Sequence, residues 1–138
     1  MSTNRLSAKN IRRKWHLIDA KDKILGRLAS EIAMILMGKN KPSFVPYLDT
    51  GDFVVVTNAS KVKLTGKKMQ EKVYTRHSGY PAGIKVETFD KVIKNKPEHV
   101  IEHAVGGMIP RSKLGRQMIK KLKVFAGEEH PYSKQIGV

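Results

Sequence analysis

Cysteine is absent from all 138 residues. This absence excludes disulfide bonds, a thiol nucleophile and cysteine-ligated zinc, and it is typical of cytosolic proteins. The first fourteen residues, MSTNRLSAKNIRRK, also lack the apolar core of a secretory signal. Their Ser-rich, Arg-rich and acid-free composition is a weak feature of organelle transit peptides, which is the alternative reading. We therefore expect a cytoplasmic protein without disulfides.

Long apolar runs and acidic residues are both scarce. The longest apolar candidate, IAMILM from Ile32, is far shorter than the roughly 18 residues of a transmembrane helix, so we expect no membrane partner. The chain has 12 Asp and Glu against 27 Lys and Arg, a formal net charge of +15, together with 40% hydrophobic residues. This composition predicts a folded protein with a polyanionic partner, and nucleic acid is the commonest one.

Catalytic motifs are missing, because no G-x-G-x-x-G, P-loop or G-x-S-x-G occurs. The nearest pattern is HVIEH, from His99 to His103, which has the spacing of the H-x-x-E-H zinc peptidases. Such a site needs a third protein ligand, and only Glu128 and Glu129 are late acidic candidates. The apolar residues of this segment fall on the helix face opposite the histidines. We expect a polar helix flank with no catalytic residue, metal or cofactor; a small zinc hydrolase that uses Glu102 is the rival.

Strand and helix patterns alternate along the chain, which predicts one α/β sandwich domain. Four successive apolar residues in FVVVT, at 53–57, are typical of a strand covered on both faces in a parallel sheet. An apolar helical pattern with Asp22 as its N-cap ends at Gly38. The other expected elements are a strand WHLIDA from Trp15, short strands at 61–64 and 73–76, helices near 88–95 and 97–105, and a basic helix after Pro110.

The segment GGMIPRSKLGRQMIKKLKVFAG holds six basic residues and no acid between Arg111 and Lys123. On a helical wheel, its cations form a stripe of Lys113, Arg116, Lys120 and Lys123 opposite an apolar face. The loops GKNKPSF and GKKMQEKVYTRHSGYPAGIK add cations beside aromatic residues, a mixture that suits phosphates and unstacked bases. A solvated charged face is the alternative interpretation. The residues predicted to bind RNA are Arg12, Arg13, Lys14, Lys39, Lys41, Lys67, Lys68, Arg76, His77, Tyr80, Arg111, Lys113, Arg116, Lys120, Lys121 and Lys123.

Four long segments carry a specific resemblance. They are WHLIDAKDKILGRLASEIA, VPYLDTGDFVVVTNASKVKLTGKK, YTRHSGYPAGIK and GMIPRSKLGRQMIKKLKVFAGEEHP. Together, from Trp15 to about Pro131, they closely resemble the thirteenth protein family of the large ribosomal subunit in its bacterial form. The resemblance implies a three-layer α/β/α sandwich with a mostly parallel four-stranded sheet, no catalysis, and a structural role in binding large-subunit ribosomal RNA during assembly. The chain departs from the family pattern at Gly106, at Ala82 and in the tail after His130.

The expected organisation is a basic N-terminal arm at 1–14, a single α/β RNA-binding domain at 15–130 and a C-terminal tail at 131–138. We expect a structural constituent of the large ribosomal subunit that binds ribosomal RNA through phosphate contacts and shape. Its partners would be large-subunit ribosomal RNA, neighbouring large-subunit proteins and, further, messenger RNA. A free RNA-binding regulator that represses messages is the alternative within the binding proteins.

Overall fold

A computed structural model describes residues 7–137 of the chain. Positions 1–6 of the expected arm and position 138 of the expected tail lie outside the described residues. The strands and helices alternate, which confirms the predicted α/β class. In chain order the elements are β1 (Trp15–Asp19), α1 (Leu25–Met37), β2 (Phe53–Thr57), α2 (Lys68–Glu71), β3 (Val73–His77), β4 (Ile84–Thr88), α3 (Phe89–Asn95), α4 (Pro97–Met108), α5 (Lys113–Ile119), β5 (Leu122–Val124) and α6 (Ser133–Ile136).

The main sheet has three parallel strands in the order β1, β2, β5. The register pairs Trp15 with Phe53 on one side of β2, and Val54 with Leu122 on the other. The three valines of β2, 54–56, are 0% exposed. The prediction of a parallel strand covered on both faces is therefore confirmed, and β2 is the centre of the sheet.

The strand expected at 61–64 is reduced to one bridge between Ile24 and Lys63. The Leu25 amide donates to the Lys63 carbonyl at 2.9 Å, and the Lys63 amide donates to the Lys23 carbonyl at 2.9 Å. A 3-10 turn, Ala59–Lys61, precedes this bridge, and Gly66, with φ 62°, follows it. The extended stretch between these two turns is too short for a full strand, so the described sheet has three strands rather than the four that the family resemblance implied.

Helix α1 begins later than the sequence suggested. Its N-cap position is Ile24, whereas Asp22 has a φ of 60° and its carboxylate pairs with Lys63 Nζ at 2.6 Å. The prediction of Asp22 as N-cap was wrong, because the bridge to Lys63 holds the preceding backbone extended. The predicted end at Gly38 is confirmed: Gly38 has a φ of 81° and its amide donates to carbonyls of the last turn.

Helices α1 and α4 pack against each other, α1 also contacts β2, and α4 contacts β5. The apolar faces that both helical patterns predicted are buried in this core, and their most enclosed members are Leu28, Ile32, Leu36, Val100, Ile101 and Val105. Pro97 occupies the start of α4, as predicted, where its missing amide hydrogen costs nothing. The histidines of HVIEH are exposed, which confirms their expected place on the polar flank.

Strands β3 and β4 form an antiparallel hairpin that is separate from the main sheet. The predicted strand at 73–76 is thus confirmed, but its partner, Ile84–Thr88, was not predicted. All five residues of β4 are exposed, so the strand lacks the buried alternation by which strands are recognised in a sequence. Tyr74 faces α4, and its ring centroid lies 5.3 Å from that of His103.

The tail after Pro131 packs on the main sheet. Tyr132 stacks on Trp15 with ring centroids 5.2 Å apart, and Trp15 in turn stacks on Phe53 at 4.4 Å. Helix α6 contacts β1. The described part of the expected tail is therefore held at the β1 edge of the domain.

Candidate nucleic-acid interface

The basic segment after Pro110 folds as a capped turn followed by α5. Ser112 Oγ accepts a hydrogen bond from the Gly115 amide at 3.2 Å, which satisfies one free donor of the first helical turn. A Cβ atom at Gly115 would lie only 1.8 Å from the Pro110 carbonyl oxygen, so glycine is required by this close approach. The turn therefore fixes the direction in which α5 leaves the core.

Helix α5 has the two faces that its sequence predicted. Met118 is buried and Leu114 is half-buried, whereas Lys113 and Arg116 are exposed. None of the five ion pairs among residues 7–137 involves Lys113, Arg116 or Lys120. These cations are thus available to phosphates without first breaking an internal pair.

The predicted stripe of cations is shorter than expected, because the helix ends at Ile119. Lys120 is the exposed C-cap residue, but Lys123 lies on β5, half-buried and opposite Val55 in the register. A helical wheel that continued past Ile119 placed Lys123 on a helix that does not exist there. The Lys123 side chain therefore projects from the main sheet and not from α5.

Lys121 requires the clearest correction among the predicted RNA-binding residues, since the residue is buried, with only 5% of its surface exposed. Its Nζ pairs with Asp49 Oδ1 and donates to the Leu36 carbonyl at 3.2 Å. Burial lowers the pKa of the Lys121 ammonium, and the hydrogen bond to Asp49 acts in the opposite direction. This lysine joins α1, the loop before β2 and the start of β5, and its side chain points into the protein interior.

A second buried carboxylate, Asp52, accepts hydrogen bonds from residues before and within β1 and from the loop between α1 and β2. Its oxygens accept from Lys41 Nζ, from the Lys14 amide at 3.0 Å and from His16 Nε2 at 2.8 Å. Burial opposes ionisation of Asp52, but these hydrogen bonds together hold its pKa below the ordinary value. Lys41 is thus largely committed to the fold, since its Nζ also donates to the Thr50 carbonyl at 2.9 Å.

The residues before β1 are tied to the domain as well. Arg13 Nη2 donates to the Asp49 carbonyl at 2.9 Å, and Lys41 Nζ donates to the Arg12 carbonyl at 3.1 Å. A cleft of about 330 Å³ forms here, and Arg12, Lys14 and Lys41 lie along it. The structure therefore brings three of the predicted residues together.

A larger basic surface runs from the hairpin to α5. A cleft of about 400 Å³ between the hairpin and α4 is lined by Arg76, Lys85, His99 and His103. A neighbouring depression shares both histidines and reaches Arg111, and a third groove continues from Arg111 to Arg116. We call this continuous surface, from Arg76 across α4 to Arg116, the basic track. It joins two segments that are far apart in the sequence.

The remaining predicted residues are exposed but are not gathered in these clefts. Tyr80, at the turn of the hairpin, is 76% exposed. His77 ends β3, and its Nδ1 accepts from the Gly79 amide at 2.9 Å. Lys67 and Lys68 begin α2, and Lys39 follows the end of α1. These side chains are exposed on elements and turns that flank the core.

The HVIEH histidines do not form a metal centre with their neighbours. Their ring centroids are 5.7 Å apart, and both rings lie near Tyr74. Across residues 7–137, no group of three or more His, Cys, Asp or Glu side chains is placed to hold a metal ion. A zinc hydrolase would need such a third ligand.

Comparison with known proteins identifies the family. The family model described as Ribosomal protein L13 matches residues 13–131. The chain belongs to the ribosomal protein L13 family. Proteins called "Large ribosomal subunit protein uL13" are similar to it: that of Microcystis aeruginosa is 62% identical and covers 91% of this chain and 83% of its own length. That of Symbiobacterium thermophilum is 56% identical, and the match covers 91% of this chain and 88% of the relative. That of Prochlorococcus marinus strain MIT 9301 is 58% identical, and the match covers 94% of this chain and 90% of the relative.

Membership of the ribosomal protein L13 family confirms the predicted resemblance and makes the chain a structural ribosomal component rather than an enzyme. The zinc hydrolase alternative is not supported, because the ribosomal family model matches residues 13–131 and so includes the HVIEH segment. No helix in the described part of the chain has both the length and the apolar character needed to cross a membrane.

Two side-chain positions were not predicted from the sequence. The histidines of α4 lie on the polar flank as predicted, but the sequence did not show that this flank lines the basic track beside Arg76 and Arg111. No local signal could have shown this, because the hairpin and α4 meet only in the fold. The inward position of Lys121 was not predicted either, because α5 ends at Ile119 and the pairing of Lys121 with Asp49, rather than a helical period, sets its direction.

Proposed function

We propose that this chain, as a constituent of the large ribosomal subunit, binds folded ribosomal RNA through the basic track and α5 and thereby supports subunit assembly. The observation that carries the proposal is the row of exposed cations on α5 and its C-cap, none of which has an acidic partner among residues 7–137. Such a row neutralises phosphates and releases counterions, whereas shape decides where the protein sits on the RNA.

The names of its relatives support this assignment, since each is a large-subunit protein of a bacterium. We expect the protein to be located in the large subunit, in the bacterial cytoplasm. Neighbouring ribosomal proteins are the other expected partners. Binding to messenger RNA stays a prediction without support from the comparisons. The three-layer arrangement with a fourth strand likewise stays a prediction, with 61–64 as the segment that would supply the strand.

The proposal is tested by reversing the charge of α5 without touching its packed face. The variant with Lys113→Glu, Arg116→Glu and Lys120→Glu is expected to stay folded, because all three side chains are exposed. Its affinity for a large-subunit ribosomal RNA fragment should fall by a factor on the order of 100 or more, and the log-log salt slope should fall by about 2 to 3. A matched control, Lys21→Glu, Lys23→Glu and Lys61→Glu, makes the same charge change at exposed positions outside the surface.

A packing variant gives the opposite result. Leu122 is 6% exposed, so Leu122→Ala should cost about 2 to 5 kcal/mol of folding stability. Its affinity for RNA, measured on the folded fraction, should barely change. If the triple Glu variant bound RNA as the parent does while staying folded, α5 would be only a solvated face and the proposal would be wrong.

A further inference from the structure

The cleft between the β3–β4 hairpin and α4 combines cations with aromatic rings and a carboxylate, a mixture that phosphate binding alone does not require. Its volume is about 400 Å³, within the range of about 300 to 1,000 Å³ that is usual for small-molecule sites. We propose that this cleft binds one unstacked nucleotide of an RNA chain. The inference rests on the proposed function and specifies one contact within it.

Three aromatic rings meet in the cleft, Tyr74 from the hairpin and His99 and His103 from α4. The Tyr74 ring meets the His103 ring edge to face at 5.3 Å, with 79° between the planes, and lies 6.2 Å from the His99 ring. Tyr74 is half-buried, whereas both imidazoles are exposed. Exposed rings on a rigid helix provide flat surfaces on which a splayed base can stack.

The hairpin side of the cleft also supplies charge in a fixed register. Arg76 is paired with Lys85, and Tyr74 with Glu87, and directly opposed residues of a hairpin share a face. Arg76, Lys85 and Glu87 therefore lie on the face that Tyr74 turns toward α4. Lys72, whose Nζ is 5.6 Å from the Tyr74 ring centroid, is a third cation that lines the cleft. The cations suit a phosphate, since charged hydrogen bonds to phosphate are the strong ones.

Glu87 is the residue that distinguishes a nucleotide from a bare phosphate. A carboxylate repels phosphate but accepts hydrogen bonds from the N–H groups of a base edge. Guanine presents two adjacent N–H donors on its Watson–Crick edge, so it should fit better than uracil. An acidic peptide would be attracted by Arg76 and Lys85 but repelled by Glu87, and it would leave the imidazole faces unused.

The test follows the imidazole resonances of the full-length protein by NMR. The chain has five histidines, of which His99 and His103 line the cleft, whereas His16 and His130 lie elsewhere and serve as internal controls. The probes are the single-stranded hexamer AAGAAA and free guanosine monophosphate at the same salt concentration. We expect the hexamer to shift His99 and His103 but not His16 and His130, and to bind about tenfold or more tightly than the mononucleotide.

Equal affinities for the two probes would assign the cleft to a free nucleotide and overturn the RNA assignment. Hexamer binding that shifts all the histidines alike, or neither His99 nor His103, would overturn the cleft itself. In that case, retained binding of the large-subunit RNA fragment by the parent, with its loss in the triple Glu variant of α5, would leave the proposed function standing.

Variants separate the roles of charge and base edge. Arg76→Gln with Lys85→Gln should weaken hexamer binding by about tenfold or more, whereas Lys21→Gln with Lys23→Gln, the same charge change outside the cleft, should not. Glu87→Gln should remove the preference for AAGAAA over AAUAAA. All these side chains are exposed, so the variants should fold. An unchanged preference in Glu87→Gln would remove Glu87 from the site, and unchanged hexamer affinity in the Arg76 and Lys85 variant would overturn the proposal.

Discussion

Adjacent lysines at the end of α5 should respond to substitution in opposite ways. Lys120 is exposed, whereas Lys121 is 5% exposed and pairs with Asp49, which is 9% exposed. Removing one partner of a buried ion pair leaves an uncompensated charge and costs about 3 to 5 kcal/mol. This is a large part of the roughly 5 to 15 kcal/mol by which domains are stable.

The perturbation is Asp49→Asn, which keeps the shape of the side chain and removes its charge. We expect a loss of about 3 to 5 kcal/mol, or on the order of 10 to 20 °C in Tm for a domain of this size. Lys121→Met should cost a similar amount. Because Met removes the buried charge, Asp49→Asn with Lys121→Met should be less destabilised than the sum of the single variants.

Urea unfolding followed by Trp15 fluorescence measures these free energies. Trp15 is the single tryptophan, and its stacking on Phe53 at 4.4 Å should make its emission sensitive to unfolding. RNA titration at fixed salt gives the second readout. Lys120→Met should keep its stability within about 0.5 kcal/mol of the parent and lose affinity, whereas Lys121→Met should keep its affinity on the folded fraction.

Two results would refute this reasoning. A loss of less than about 1 kcal/mol in Asp49→Asn, the size of an exposed ion pair, would mean that the pair is screened by solvent. A fall in RNA affinity in Lys121→Met as large as that in Lys120→Met would mean that Lys121 faces RNA after all.

Two further predictions concern titration and an unpaired hydroxyl. The pKa of Asp52 is held below its ordinary value of 3.8, so its stabilising contribution is present above that pH and is lost as the pH falls through the lowered pKa; urea midpoints at roughly pH 5 and pH 3 should differ less in Asp52→Asn than in the parent. The Tyr74 hydroxyl is buried without a hydrogen-bond partner among the described residues, and burial raises the pKa of Tyr74. Tyr74→Phe should therefore leave the free energy of unfolding unchanged or raise it by up to about 1 kcal/mol, and a loss of more than that would reveal a partner for the hydroxyl.

Local patterns in the sequence predicted the main buried elements, although they failed for the strand at 61–64 and for the start of α1. The valines of β2, the apolar stripe of α1 and the proline at the start of α4 each have a local physical cause, so they could be predicted from neighbouring residues. The net charge of +15 likewise predicted a polyanionic partner without reference to the fold. Strand β4 was not predicted because none of its residues is buried.

Tertiary structure alone decided which cations face solvent and which basic segments become neighbours. Lys121 and Lys120 are adjacent in the chain, yet the end of α5 at Ile119 directs one inward to Asp49 and leaves the other exposed. The hairpin and α4 likewise meet only after the core has formed, and their contact brings Arg76 beside His99 and His103. Charge is a property of each residue, so it could be read from the sequence. Burial and proximity depend on long-range packing, so they could not.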